Sequence, residues 1–193
     1  LTKNNFIDNF CDNKNFIQLE KFLDSHIFEI EKNLNNYVKD ITLVIEHENF
    51  LFVNTSMKYH FDGSKFNLNK LNNLLIELKS HFKNTIGNYE IIHMIINKYI
   101  VDGKIYSQLA EINNFEKICL EIRFICLDKD LIDGIKNILS KYQILIRHIV
   151  SFKYLNEFED MTSSKTSITA SKILKGLNQN EIFILGKTPK NIS

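Results

Sequence analysis

The residue best suited by type to acid–base or metal chemistry is His93, which sits inside an almost wholly apolar stretch, IIHMIINKYIVDGK, at residues 91–104. An imidazole titrates closest to neutrality of all side chains, so it can carry a proton, bind a metal or pair with a carboxylate. Each of those chemistries needs a second group at a fixed spacing, and none stands beside it. His47, His60 and His81 lie near acids or lysines, yet no two share a helix or hairpin spacing that brings them onto one metal with a third ligand. They read as solvated surface side chains. Thr162 to Ser171 is dense in hydroxyls, but a hydroxyl nucleophile needs a paired base and an oxyanion element, and neither accompanies it. Cys11, Cys119 and Cys126 show no CxxC spacing and no histidine at ligand distance, so they read as reduced thiols buried as small hydrophobes. Cys119 and Cys126 fall on opposite faces of one expected strand and cannot bond to each other there. The expectation is a protein that is not an enzyme, with no catalytic, cofactor-binding or metal-ligating residue.

The bulk composition is in keeping with that. A chain of 193 residues buries roughly 70 % of its unfolded surface in one domain or two small ones, so it folds without a cofactor or disulfide. Lys and Arg number 24 against 23 Asp and Glu, interspersed along the chain. This speaks against nucleic-acid binding, which uses a concentrated basic face. Only Arg123 and Arg147 are arginines. No apolar run reaches membrane-spanning length, and Leu1-Thr2-Lys3 leads into polar residues instead of a signal-peptide core. The missing initiator Met suggests a fragment of something longer.

The elements that must position these groups can be read from periodicity. Apolar residues step by three and four from Phe16 to Val38, predicting a long helix over 13–39 capped by Asp12 or Asn13. ITLVIEHENFLFVNTSMKYHF predicts strands at 41–46 and 50–60 about a polar turn, and Asp62-Gly63-Ser64 breaks the chain. A second amphipathic helix is expected over 68–86, ended by Gly87-Asn88, and the strand carrying His93 follows. Asp102-Gly103 is a two-residue hairpin turn that folds Lys104 to Ser107 back beside that strand. After a link through Asn113-Asn114, FEKICLEIRFICL reads as a strand, DKDLIDGIKNILSKY as a helix and QILIRHIVSF as a strand. The order is that of an α+β fold. From Glu157 onward, Ser and Thr dominate with weak periodicity, and 157–193 is expected to be a poorly packed polar tail with one helical turn or short strand.

Strand alternation assigns faces. Ile92, Met94, Ile96 and Ile100, with Ile118 to Phe124 and Ile144 to Phe152 at alternate positions, would lie under the helices. The opposite, helix-free face would gather His93, Asn97, Tyr99, Glu121, Arg123, Leu145, Arg147 and Ile149, where His93 can reach water or a carboxylate. Tyr and Arg are enriched at interfaces, so His93, Tyr99, Glu121, Arg123, Arg147 and Ile149 are the candidate protein-contact residues. An ordinary solvated sheet face is the alternative.

At IIHMIINKYIVDGK the sequence resembles the bacterial cell-division protein family FtsA, whose extra small subdomain begins with a similar hydrophobic-His-hydrophobic strand ending in a Val-Asp-Gly turn. NNFIDNF with the long helix, and ITLVIEHENFLFVNTSMKYHF, are similar to that family's lead-in, first actin-like helix and following strands. FEKICLEIRFICLD and QILIRHIVSFKYLNEFED are similar to the rest of its strand-helix-strand-strand (SHS2) subdomain and its exit, so residues 4–158 are covered. The resemblance implies part of an actin-like, ribonuclease H-like lobe at 1–66 and an SHS2-type subdomain at 67–156, with a small antiparallel sheet covered by two helices on one face.

Departures accompany it. Ile96 stands where a proline is expected, and QLAEINNFEK replaces a Pro-Gly link. MTSSKTSITASKIL stands where the glycine-rich second phosphate loop should follow Asp160, and the first loop would precede Leu1. ATP, implied for the full-length family, is therefore assigned to no residue, because the backbone amides that would cradle its phosphates are missing. The family's second lobe and terminal amphipathic membrane helix have no counterpart, so no direct membrane anchor is expected. The function implied is that of an interaction module of the division apparatus. It would be cytoplasmic, at the inner face of the membrane at the division site, and would associate with itself or with division partners through the mixed sheet face. An actin-like nucleotide-binding ATPase seen in part, or a relative of the pilus-assembly protein PilM, is the alternative.

Overall fold

The computed structural model of the protein describes residues 13–48, 50–60, 68–108, 116–158 and 163–182. The expectations for Cys11, the lead-in before the first helix, the break at Asp62-Gly63-Ser64, the link at Asn113-Asn114 and the stretch from Phe183 to Ser193 lie outside these residues. The chain divides into two compact units, one of residues 1–49 and 128–175 and one of residues 50–127 and 176–193. The second is thus largely an insertion into the first. In each unit, elements distant in the chain share a core.

In the first unit, helix α1 (Asn13–Leu34) is shorter than its apolar stripe suggests. Asn35 adopts φ 51°, and the Asn35 and Asn36 amides donate back to the Lys32 and Glu31 carbonyls, a left-handed cap that satisfies the last turn. Tyr37, which continues the periodicity, is exposed. Strand β1 (Asp40–Ile45) runs parallel to β6 (Leu145–Ser151), from Asp40 opposite Leu145 to Ile45 opposite Ser151. The register shifts between Ile41 and Thr42, leaving Arg147 as the extra residue of β6. Helix α3 (Lys129–Lys141) begins where the Asp128 side chain accepts from the Asp130 and Leu131 amides at 2.7 and 3.2 Å. It buries Leu131, Ile132, Ile135, Ile138 and Leu139 as one stripe. A short helix α4 (Phe152–Leu155) follows β6, with Tyr154 and Leu155 fully buried.

The segment expected to be a poorly packed tail holds a helix, α5 (Ser163–Leu174), whose Thr169, Ala170 and Ile173 are buried. Its face is too short and too polar in composition to stand out by periodicity, and tertiary burial decides its state.

In the second unit, β2 (Leu51–His60), β5 (Lys117–Asp128), β3 (Tyr89–Val101) and β4 (Lys104–Tyr106) form a four-stranded sheet in the order β2-β5-β3-β4. β1 and β2, adjacent in the sequence, therefore enter different sheets. β2 and β5 are antiparallel, with Val53 opposite Phe124, Thr55 opposite Ile122 and Met57 opposite Leu120 on the apolar side. Helix α2 (Leu68–Thr85) supplies Leu71 and Leu75 to that core, and Phe82 stacks on Phe124 at 4.0 Å between ring centroids. The expected pair of covering helices is corrected: α2 packs in this unit, while α3 belongs to the other. The Asp102-Gly103 turn forms as expected, both residues at positive φ (48° and 82°) with Val101 facing Lys104.

The architecture is α+β, with parallel pairing in one sheet and antiparallel pairing in the other. Among the described residues, no helix is long and apolar enough to cross a membrane.

Candidate functional site

The strand around His93 departs from simple alternation. Its members of the core cluster are Ile91, Met94, Ile96, Tyr99 and Val101, so the stepping is three, two, three, two. A run with no polar residue from Ile91 to Ile96 except His93 carries no period of its own, and local packing decides which side chains turn inward. Tyr99 is consequently a core residue, 4 % exposed, while Asn97 and Lys98 face solvent.

His93 is 3 % exposed, not on an open face. It is covered by the segment Asn180 to Ile182, which the sequence left in a loose tail. The Ile182 amide donates to the Met94 carbonyl at 2.8 Å and the Ile96 amide to the Asn180 carbonyl at 2.9 Å, so Ile95 and Glu181 form an antiparallel bridge. Side chains alternate along this short extended segment. Asn180 accepts from the Tyr99 hydroxyl at 3.3 Å and donates to the Ser107 carbonyl at 2.7 Å, and Ile182 packs on the core cluster. Glu181 turns to the other side, where its Oε1 is hydrogen-bonded to His93 Nδ1 at 2.7 Å with both side chains almost wholly buried. Burying an imidazole and a carboxyl is tolerable because each satisfies the other. Glu181 and Asn180 escaped sequence reasoning because 88 and 81 residues separate them from their partners. The polar Asn-Glu pair ahead of a short apolar run was the one signal available.

The six predicted contact residues belong to two different sheets. Arg147 and Ile149 lie on β6, in the two-stranded parallel sheet of the first unit; Arg147 is exposed and 3.6 Å from Asp40, and Ile149 is half-buried opposite Leu43. β6 was expected beside β3 and β5, but the parallel partner available in β1 captures it. His93 and Tyr99 are buried under the chain's own segment. Glu121 and Arg123 remain together on the polar face of β5. They lie opposite Ser56 and Asn54, and Glu121 is paired with Lys98 at 3.0 Å. Lys58 and His60 of β2 continue that face, opposite Cys119 and Lys117, and both are exposed. Lys58, Lys117 and Arg123 thus share this face with the Lys98–Glu121 ion pair.

Among the described residues, no group of three or more His, Cys, Asp or Glu side chains could hold a metal. Cys119 is half-buried and Cys126 buried, on opposite faces of β5, and both are free thiols. Burial, then the nearby negative charge of Glu90, pushes the Cys126 thiol up to about 12, so it is protonated and inert near neutrality. The chain matches no protein-family model and no curated protein by sequence.

Proposed function

We propose that the chain is a non-enzymatic interaction and assembly module of the FtsA kind, a cell-division protein that acts in the cytoplasm at the division site by associating with further copies of itself. The observation that carries this reading is the polar face of the four-stranded sheet, where Lys58, Lys117 and Arg123 lie beside the Lys98–Glu121 pair. Such a face steers and orients an acidic protein surface more than it adds raw affinity. The element order also supports it. The strand that carries His93 ends in the Val-Asp-Gly turn that joins β3 to β4, as the resemblance implies for the start of the SHS2 subdomain. The second unit is inserted between β1 and α3, in the manner of an extra subdomain.

Sedimentation equilibrium of the chain and of its Lys58→Glu/Arg123→Glu variant tests the reading. Self-association that weakens at least tenfold in the variant, and weakens with added salt, is expected. An unchanged association constant in the variant excludes this face as the contact. Fluorescent ATP titrated against the chain separates the nucleotide-binding alternative, which requires micromolar binding.

A further inference from the structure

β4 pairs with β3 only from Tyr99 to Val101, which leaves the preceding edge of β3 for another strand. An unpaired sheet edge is a template for any extended chain that can offer matching backbone groups. Here the edge at Met94–Ile96 is filled by Asn180–Ile182 of the same molecule through two backbone hydrogen bonds, and the fit is specific at each side chain. Asn180 bridges Tyr99 and Ser107, Glu181 meets His93, and Ile182 enters the core. These are the two components of strand addition seen in peptide recognition, main-chain pairing for affinity and alternate side-chain pockets for specificity.

The way the segment arrives matters as much as the way it binds. It follows α5 through Gly176, at φ 90°, and a run of turns up to Asn180, and α5 itself belongs to the other unit. A short segment hung on a turn-rich connection can leave its seat without dismantling the helix before it. Every contact it makes is reproduced if the seat is filled by the identical segment of another molecule, which is the condition for exchange between protomers.

We propose that the β3 edge from Met94 to Ile96, with His93 beside it, is a strand-acceptor site. Residues 180–182 close it within one molecule, and the same residues of a second copy can take their place. The site recognises an extended Asn-Glu-Ile tripeptide, and the dimer it makes is independent of the basic sheet face.

Two charge-altered full-length chains test this. His93→Glu disables the acceptor for its own strap, and Glu181→Lys disables the strap for its own acceptor. When the two are mixed, the strap made cationic by Glu181→Lys matches the seat made anionic by His93→Glu. The mixture is expected to give a heterodimer by light scattering, at concentrations where each variant alone is at least tenfold less associated. The heterodimer should persist when Lys58→Glu and Arg123→Glu are added to both chains. A mixture no more associated than its components, with both variants keeping the native far-UV circular dichroism, overturns the proposal. Should either variant fail to fold, the milder Glu181→Gln chain is titrated with a fluorescein-labelled peptide of residues 177–183. Binding at least tenfold tighter than to the unaltered chain, whose seat is filled, supports the acceptor site; binding no tighter than a scrambled peptide refutes it.

Discussion

Nδ1 of His93 and Oε1 of Glu181 lie 2.7 Å apart, with 3 % and 5 % of their side chains exposed. The pair fastens the segment of residues 180–182 to β3, and removing one member leaves a buried polar group behind. Glu181→Ala is expected to cost about 1–3 kcal/mol of stability in urea unfolding, and His93→Ala a similar amount. The double variant should cost less than the sum of the two, by ~1 kcal/mol, as contacting residues do. Additive costs would show that the two side chains are not coupled.

Gly134 faces Phe16 across the packing of α3 and α1. A Cβ built at Gly134 falls 2.5 Å from Phe16 Cζ and 2.8 Å from Cε1, closer than carbon atoms tolerate. Alanine in a helix interior is worth about 1 kcal/mol over glycine, but here the methyl displaces the ring. Gly134→Ala should therefore lower stability by ~1–2 kcal/mol, and Phe16→Leu in the same chain should recover most of it. The comparison is a thermal or urea unfolding series of the two single variants and the double. A stabilised Gly134→Ala chain would contradict the packing described.

The Tyr142 hydroxyl, at the end of α3, donates to the Asp24 carboxylate and, at 3.3 Å, to the Glu20 carbonyl of α1. Burial, the hydrogen bond to Asp24 and the negative charges of Asp24 and Glu20 push its phenol up to about 12. A folded-state value raised above the usual 10 means that the protonated phenol is the form the fold holds. Its contribution to stability is full below about pH 10 and is lost as pH rises from there through about 12. Absorbance titration of the phenols should show Tyr142 and Tyr99 among the late-titrating tyrosines, the latter also near 12 through burial. Asp24→Asn should move one of them back toward 10 and leave the other.

Cys126, fully buried with its thiol near 12, should resist alkylation by iodoacetamide at about pH 8 until the protein unfolds. Cys119, half-buried on the polar face of β5, should be modified in the native state at a measurably higher rate. Site-resolved mass spectrometry reads both. Equal rates in the folded protein would place Cys126 nearer solvent than its burial states.

Local order was largely legible from composition and period. α2, α3, β2, β5 and the Asp102-Gly103 hairpin fall within a few residues of their expected limits, because a 3.6-residue stripe, strict alternation or a turn dipeptide is written into neighbouring positions. The end of α1 was less so, since Asn35 takes a left-handed cap while the apolar stepping runs on to Val38. The polar companions Glu121 and Arg123 were also legible, because β5 alternates without a break through them.

What the tertiary structure alone decided is which strands meet. β6 pairs in parallel with β1, 105 residues from Asp40 to Leu145, and takes Arg147 and Ile149 away from the face where alternation had grouped them with Arg123. The apolar run around His93 has no other polar residue to register it, so packing and the bridge from the returning segment at residues 180–182 set its inward side. Sequence patterns encode the periods of single elements, whereas pairing between elements depends on edges and charges that come together only in the folded chain. His93 is the clearest case: its type announced chemistry, and its partner, Glu181, lies 88 residues away.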